Sequence, residues 1–302
     1  MGVRRPLRRA AAPGPHRRPD GTPLARLAGA RLTDIAERSG ADVVVPVFHL
    51  AAQLTGHLRD RRLLRAPSAV LLTDFAVHRQ WLHPGNDLYL CLTDEAARSV
   101  RETIPVPAEP TGPVVAPGFF APGPGAEAWW RRFGAYAPGR PPVVLSAGAW
   151  GAASEPEGTA RLLVGAGFLP VVLCGRNAHL RARLARVPGA LVPDWVTDMP
   201  GLLHAARVLV DNAAGQTAVQ ALAAGLPVVG YRPLPGHGAE GVRRMAALGA
   251  SEFASDPATL LRALRHLAPD GPHRDHRTSR GRALFRADAL TPVTALGAMA
   301  RV

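Results

Sequence analysis

Two stretches of the sequence combine residue types that could do chemistry. The first, TDFAVHRQWLHPGND at 73–87, places the carboxylate of Asp74 before the imidazoles of His78 and His83. A carboxylate and two imidazoles at the end of an apolar strand suit general-base catalysis or hydrogen bonding to a ligand. A solvated loop with ordinary histidines is the alternative that the sequence leaves open.

The second stretch, VLVDNAAGQTAVQALAAGLPVVGY at 208–231, joins a buried strand to a helix. The apolar run ends at Asp211, small residues follow at 213–215, and a helix begins at Gln216. Free N–H groups at a helix N terminus bind phosphate, and the helix dipole adds a favourable field. Small residues would let a phosphate approach the backbone, and Gln216 and Thr217 add side-chain donors. A tight turn that only packs well is the alternative.

A third loop, SAGAWGA at 146–152, also follows an apolar run. Gly148 and Gly151 in this loop tolerate positive φ angles. Glycines are common in such turns, so the loop on its own is weak evidence for a ligand site.

Aromatic residues form one further pattern in AEAWWRRFGAYA at 126–137. Trp129, Phe133 and Tyr136 share one helical face beside two arginines. Such a face suits a membrane interface, but it also suits packing in the core or between domains. Both interpretations stay open from the sequence.

Apolar runs alternate with helical stretches along much of the chain. We predict strands at 142–146, 170–174, 190–192, 208–210 and 228–231, and helices at 156–164, 178–186, 198–206, 216–224, 239–248 and 257–267. The first half is less regular, with strands at 43–47, 69–73 and 88–92 and helices at 24–38, 49–59 and 94–102. This alternation indicates βαβ units in an α/β protein, with the strand-to-helix loops at one edge of a parallel sheet.

Proline and glycine dominate 105–124, a composition typical of a linker, so we place a domain boundary near residue 122. We predict a basic disordered tail at 1–22, an N-terminal domain at 23–122, a C-terminal domain at 123–270 and a tail or helix at 271–302. Ligands of open parallel sheets bind outside the carboxyl ends of the strands. The loops at 146–152, 174–177 and 211–217 should therefore converge on one site.

The chain is strongly basic: its formal net charge is +13, and its 36 lysine-plus-arginine residues are all arginine. This charge favours an anionic membrane surface, a nucleotide or nucleic acid. No aromatic-interleaved basic strand or zinc spacing is present, so we expect no nucleic acid, although a basic nucleic-acid binder stays an alternative. Cys91 and Cys174 lie in apolar runs and are interpreted as buried thiols of a cytoplasmic protein.

Taken together, these stretches resemble the GT-B glycosyltransferases, in particular monogalactosyldiacylglycerol synthase. They resemble more distantly the N-acetylglucosaminyl transferase that makes lipid II. The most specific pieces are TDFAVHRQWLHPGND, SAGAWG, VLCGRN (172–177), DNAAGQTAVQALAAGLPVV and YRPLPGHG (231–238), which follow one another between residues 40 and 267. The resemblance implies two Rossmann-like domains that face each other across a cleft, the N-terminal one truncated.

The resemblance also implies an activity. It predicts a hexosyltransferase that moves a sugar from a UDP-sugar to a lipid acceptor, with inversion, at the inner face of the cell membrane. The UDP-sugar is a substrate, and the resemblance implies neither a metal nor another cofactor. A remnant that binds a nucleotide or a lipid without catalysis is the alternative.

Site residues follow from the same resemblance. It assigns Gly148, Trp150 and Gly151 to the loop beside the donor phosphates, Trp195 and Val196 to the uracil, Gly215, Gln216 and Thr217 to the diphosphate, and Pro235, Gly236 and His237 to the donor sugar. In the N-terminal domain, Asp74 and His83 are the candidates for the catalytic base.

The sequence departs from the family pattern at two places. Gln220 stands where the resemblance implies a glutamate that binds both ribose hydroxyls, and an amide accepts fewer and weaker hydrogen bonds than a carboxylate. No residue before Leu24 matches the first strand, or the glycine-rich turn that ends in a catalytic histidine. We therefore expect either a true start further upstream or a chain that has lost part of its catalytic machinery.

Overall fold

The computed structural model describes residues 25–285 and 288–300, apart from the side chain of His237, so the predicted tail at 1–22 lies outside the described residues. The helices are α1 (Ala30–Arg38), α2 (His49–Asp60), α3 (Asp94–Thr103), α4 (Pro124–Tyr136), α5 (Pro156–Gly165), α6 (Ala178–Leu184), α7 (Met199–Ala205), α8 (Gln216–Ala223), α9 (His237–Ala247), α10 (Pro257–Leu267), α11 (Pro272–Arg282) and α12 (Leu290–Met299). The strands are β1 (Ala69–Leu71), β2 (Leu88–Cys91), β3 (Ala108–Pro110), β4 (Pro142–Ser146), β5 (Leu169–Leu173), β6 (Val208–Asp211), β7 (Val228–Tyr231) and β8 (Glu252–Ala254). Short turns of other helix types cover Ala25–Gly29, Arg79–Trp81 and Pro117–Phe119.

The second half of the chain forms a parallel sheet of five strands in the order β5-β4-β6-β7-β8. β4 lies between β5 and β6, so the chain reverses its direction of winding between these two neighbours. Both faces of the strands are buried: Val143, Val144, Leu209 and Val228 have no exposed surface. The predicted α/β architecture is confirmed, and the predicted strand at 190–192 is reduced to a single bridge between Val171 and Leu191.

The first half of the chain forms a smaller parallel sheet in the order β1-β2-β3. The predicted strand at 43–47 makes only one bridge, between Val44 and Ser68. Pro46 explains the short pairing, because its carbonyl accepts the N–H of Leu71 but its own nitrogen has no proton to donate. The predicted linker at 105–124 is also partly wrong, since β3 within it pairs with β2.

The C-terminal end of the chain returns to this smaller sheet. Val293 and Leu296 of α12 pack against the buried residues Ala69, Leu88 and Leu90 of β1 and β2. The predicted tail or helix at 271–302 therefore contains two helices, α11 and α12, and the second covers part of the N-terminal domain.

Arginines of α11 stabilise the ends of other helices. Arg274 donates to the carbonyl of Leu267 at the end of α10 (2.7 Å), and Arg280 donates to Leu248 at the end of α9 (3.0 Å). Arg282 donates to Ala224, which follows α8 (3.3 Å). Cations are favourable at helix C termini, where carbonyl groups lack partners and the dipole is negative. Part of the arginine excess therefore serves the fold.

Candidate active site between the two sheets

The strand-to-helix loops of the larger sheet converge at its carboxyl edge. Asn177 caps α6 by accepting the N–H of Leu180 at 2.9 Å. By contrast, the N-cap residues of α8 and α9 are Gly215 and Gly236, and no side chain caps either helix. The N–H groups in the first turn of α8 are therefore available to an anion.

The loop between β6 and α8 is shaped by a buried carboxylate. Asp211 Oδ2 accepts the backbone N–H groups of Ala213 (2.9 Å) and Ala214 (2.6 Å), and Ala214 has a left-handed φ of 52°. Burial raises the pKa of Asp211, although these N–H donors oppose the shift. Small residues at 213–215 were predicted to let a phosphate approach the backbone, but the N–H groups of Ala213 and Ala214 already donate to Asp211. The N–H groups of Gly215 and of the start of α8 remain available to an anion.

Gly215 differs from Gly151 in what surrounds it. A Cβ atom built on Gly215 would meet no atom within 4 Å. A Cβ on Gly151 would lie 2.6 Å from Cβ of Asn177 and 2.9 Å from the carbonyl oxygen of Cys174. Gly151 is therefore required by packing between two loops, whereas Gly215 leaves open space over the helix N terminus.

A first cavity of about 260 Å³ lies against this helix N terminus. Among the predicted donor residues, it is lined by Gly148, Trp195, Val196, Gln216, Thr217 and Gln220. The predicted residues Trp150, Gly151, Gly215, Pro235 and Gly236 do not line it. Gly215 lines the second cavity described below, and the others lie in the adjoining loops. Cys174 also lines the cavity; burial raises the pKa of its thiol to about 11, in agreement with the predicted buried thiol.

Two exposed tryptophans flank the first cavity. Trp150 is 75% exposed and Trp195 is 54% exposed. The Arg176 guanidinium carbon lies 5.9 Å from the centre of the Trp150 ring and 5.3 Å from that of Trp195. The geometry permits cation–π contacts with both rings. Arg176 was not among the predicted site residues, because nothing in its spacing along the sequence shows that two distant tryptophans lie beside it.

A second cavity of about 540 Å³ lies between the two domains. It is lined from the N-terminal side by Val47, Leu71, Leu72, Thr73, Asp74, Leu92, Pro113 and Val114, and from the C-terminal side by Gly215, Gln216 and Val219. Gln216 lines both cavities, and its amide donates to the carbonyl of Val114 at 3.5 Å. The two cavities therefore meet at the N terminus of α8.

Asp74 faces this second cavity with its carboxylate held in place. The indole N–H of Trp81 donates to Asp74 Oδ2 at 2.8 Å, and His78 Nε2 lies 3.4 Å from the same oxygen. His78 belongs to the predicted loop, but the predicted catalytic residues were Asp74 and His83. Spacing cannot decide between the two, because both lie in an irregular loop.

His83 occupies a different environment. Its ring packs against Gly56 of α2, where an added Cβ would lie 2.5 Å from the ring, and its Nδ1 accepts the N–H of Gly85 at 3.0 Å. Burial lowers the pKa of His83, with Asp60 opposing the shift. His83 is absent from the residues that line the second cavity, so the structure does not bring Asp74 and His83 together there.

The aromatic face of 126–137 is divided between packing and exposure. Phe133 is buried, Trp129 packs against the same core, and the Tyr136 hydroxyl donates to the carbonyl of Ala190 at 2.7 Å. Trp130, outside the predicted face, is 60% exposed. Two of the three predicted aromatic residues thus contribute to the core of the C-terminal domain.

Comparison with solved structures identifies this two-domain arrangement. Acinetobacter baumannii MurG matches with a TM-score of 0.57 at 17% identity, covering 89% of this chain and 76% of MurG. Anabaena Alr3699/HepE, solved in complex with UDP-glucose, matches with a TM-score of 0.58 at 13% identity, covering 92% of this chain and 83% of HepE. The chain has the GT-B fold.

Sequence comparison relates this GT-B chain to lipid glycosyltransferases. The family model for monogalactosyldiacylglycerol (MGDG) synthase matches residues 5–115. A processive diacylglycerol beta-glucosyltransferase of Bacillus pumilus is 24% identical over 254 residues, which is 81% of this chain. The Bacillus thuringiensis protein of the same name is 26% identical over 252 residues. The chain spans 65% and 63% of the length of these relatives, respectively.

Helix length was also compared with the thickness of a membrane. Among the described residues, no helix is both long and apolar enough to span a bilayer. The longest described helix, α4, has 13 residues.

Proposed function

We propose that this protein is a hexosyltransferase that moves a sugar from a UDP-sugar to a hydroxyl group of a lipid acceptor. The observation that carries the proposal is the meeting of the two cavities at Gln216. One cavity ends at an uncapped helix N terminus, and the other contains the carboxylate of Asp74. The relatives named as diacylglycerol glucosyltransferases and the neighbour solved with UDP-glucose support this substrate pair.

In the proposed reaction, Asp74 takes the proton of the acceptor hydroxyl while the oxygen of that hydroxyl attacks the anomeric carbon of the donor sugar. The bond from that carbon to the diphosphate breaks, and UDP leaves with the electron pair. Trp81 holds the carboxylate in place by a hydrogen bond and His78 lies beside it, while the α8 N terminus stabilises the charge that develops on the diphosphate. We propose that the helix N terminus does this without a metal ion, so activity should persist in EDTA.

We assign the nucleoside to the first cavity. Trp195 and Val196 would meet the uracil, Gln220 the ribose, and Gly215, Gln216 and Thr217 the diphosphate; Gly148, Trp150 and Gly151 would lie beside the phosphates, and Pro235, Gly236 and His237 near the sugar. The cavity is lined by both the 194–199 segment and the first turn of α8, which supports this division.

We assign the lipid acceptor to the second cavity. Six of its lining residues are apolar side chains of the N-terminal domain: Val47, Leu71, Leu72, Leu92, Pro113 and Val114. Val47 and Phe48 at its border are 54% and 52% exposed. Together with the net charge of +13, these residues suit a protein that works at an anionic membrane surface, for which we propose the inner face of the cell membrane.

A remnant that binds a nucleotide or a lipid without catalysis is the second candidate function. Gln220 favours it, because the amide lines the first cavity at the position where the resemblance implies a carboxylate. The two candidates differ in one outcome: the remnant binds UDP but transfers no sugar.

Calorimetric titration with UDP tests the proposal, with CMP and inorganic phosphate as controls. The wild-type chain should bind UDP selectively. Gly215→Val should fold normally, because the position has open space and a negative φ of −88°, but its side chain should obstruct the phosphate and weaken UDP binding at least about tenfold. Gly134→Ala in α4, also surrounded by open space, is the matched control and should leave UDP binding unchanged. A folded wild-type chain that ignores UDP would sink the proposal.

A further inference from the structure

A closed ring of contacts joins three loops at the carboxyl edge of the larger sheet. The loops are 147–155 after β4, 212–215 after β6 and 232–236 after β7. Asn212 is buried at their centre: its side-chain Nδ2 donates to the carbonyl of Ala152 at 3.0 Å, and its main-chain oxygen accepts the N–H of Leu234 at 2.8 Å.

An ion pair closes the ring. Arg232 Nη1 lies 2.5 Å from the Glu155 carboxylate and also donates to the Glu155 carbonyl at 3.4 Å. Thus each loop touches the other two: one contact uses a side-chain amide, one uses the main chain and one uses opposite charges.

Backbone strain is concentrated in the same ring. Four non-glycine residues of the described chain have positive φ angles, and three of them are Glu155 (46°), Ala214 (52°) and Arg232 (48°). Residues in this conformation persist where surrounding contacts hold them, and they cluster at ligand sites. The ion pair directly joins two of the strained residues.

The ring also sets the relation between two helix N termini. Loop 212–215 leads into α8 and loop 232–236 leads into α9. The two loops approach closely: a Cβ on Gly238, in the first turn of α9, would lie 3.4 Å from the Asn212 carbonyl oxygen. Loss of a contact in the ring should therefore change the position of the α9 N terminus relative to the α8 N terminus, to which we assign the diphosphate.

We propose that Asn212 and the Glu155–Arg232 ion pair are positioning residues that hold the 232–236 loop as the donor-sugar subsite. This inference rests on the proposed function for the identity of the ligand. The chemistry requires an amide at position 212, because a carboxylate of the same shape cannot donate to the carbonyl of Ala152.

Hydrogen exchange of the ligand-free protein tests whether the ring holds the loops. Asn212→Asp and Arg232→Gln should each increase exchange in peptides covering 147–155 and 232–238. The double variant should increase exchange by more than either single variant. The ring contact that it keeps, from the Leu234 N–H to the Asn212 carbonyl, joins 212–215 to 232–236 and leaves 147–155 without a ring contact. Asn177→Asp is the matched control, because Asp also caps α6. Unchanged exchange in the double variant would overturn the inference.

Calorimetry with UDP and UDP-glucose then tests the sugar subsite. In the double variant, binding of UDP-glucose should weaken at least about fivefold more than binding of UDP, because only UDP-glucose places a sugar in the subsite. Equal weakening of both ligands would overturn the sugar role. A wild-type chain that binds neither ligand would overturn the sugar role together with the proposed function, while the exchange experiment would still show whether the ring holds the loops.

Discussion

The two halves of the site are built from different parts of the chain. On the C-terminal side, a sheet of five strands presents main-chain N–H groups and short loops, and its key side chain, Asp211, is buried beneath them. On the N-terminal side, a sheet of three strands presents side chains of a single irregular loop, with Asp74 held by Trp81 and His78.

This difference teaches which sites can be recognised from sequence. A helix N terminus at the carboxyl edge of a parallel sheet results from chain order alone, so small residues between a strand and a helix reveal it. For a carboxylate in an irregular loop, the sequence shows the residue but not its partners, because spacing in a loop does not say which side chain packs against it. The following predictions test this contrast, beginning with the largest effect.

Asp74→Asn, on the N-terminal side of the site, should impair sugar transfer without affecting UDP binding on the C-terminal side. The amide cannot take the proton of the acceptor hydroxyl, so the rate of sugar transfer should fall by about 10²-fold or more. The dissociation constant of UDP should not change, because Asp74 does not line the first cavity.

The histidines sharpen this test. His78→Gln should reduce kcat through the loss of a contact with Asp74, whereas His83→Gln should leave kcat within a few-fold of wild type. Transfer rates and UDP affinities of the three variants are the measurements. A larger loss of kcat in His83→Gln than in His78→Gln would contradict the assignment.

Leu296→Asp should show how far the smaller sheet depends on α12. Leu296 packs against buried residues of β1 and β2, so a carboxylate there should lower the free energy of unfolding by about 2–3 kcal/mol. Urea unfolding followed by circular dichroism measures the change. Thr294→Asp is the control, since Thr294 lies exposed on the same helix. Equal stability of the two variants would show that α12 does not support the sheet.

Gln220→Glu, on the C-terminal side of the site, should increase the affinity for UDP. A carboxylate accepts hydrogen bonds from both ribose hydroxyls, so UDP should bind about tenfold more tightly, which corresponds to about 1.4 kcal/mol. Calorimetry with UDP checks this, and UMP should gain to the same extent because the ribose is shared. An unchanged affinity for UDP would place the ribose away from Gln220.

His83 should contribute a small pH dependence of stability on the acceptor side. Burial lowers its pKa in the folded protein, so the unfolded chain binds a proton more readily than the folded one. His83 therefore leaves the free energy of unfolding undiminished above pH 6.5, its ordinary pKa, and lowers it as the pH falls from 6.5 towards the lower pKa of the folded protein. His83→Asn should flatten that part of the stability profile, as measured by urea unfolding between pH 5 and 7. An identical slope in both proteins would show that His83 does not titrate differently on folding.

Most of the C-terminal domain was predictable because hydrophobic periodicity decides buried parallel strands. Strand 142–146 was predicted with the bounds that the structure has, and so was helix 257–267, which Asp256 caps by accepting the N–H of Thr259 at 2.8 Å. The N-terminal domain was predicted less well. Pro46 limits the 43–47 strand to one bridge, and β3 was hidden in a segment whose proline content is typical of a linker.

The sequence by itself determined the order of strands and helices, the uncapped start of α8 and the candidate residues at the edges of the sheets, because these follow from local periodicity and chain direction. Only the tertiary structure decided that Asp74 lies with His78 and Trp81, that Asp211 accepts the backbone N–H groups of Ala213 and Ala214, and that Asn212 joins three loops. Each of these depends on groups brought together by packing, and packing is a property of the whole chain that no short stretch contains.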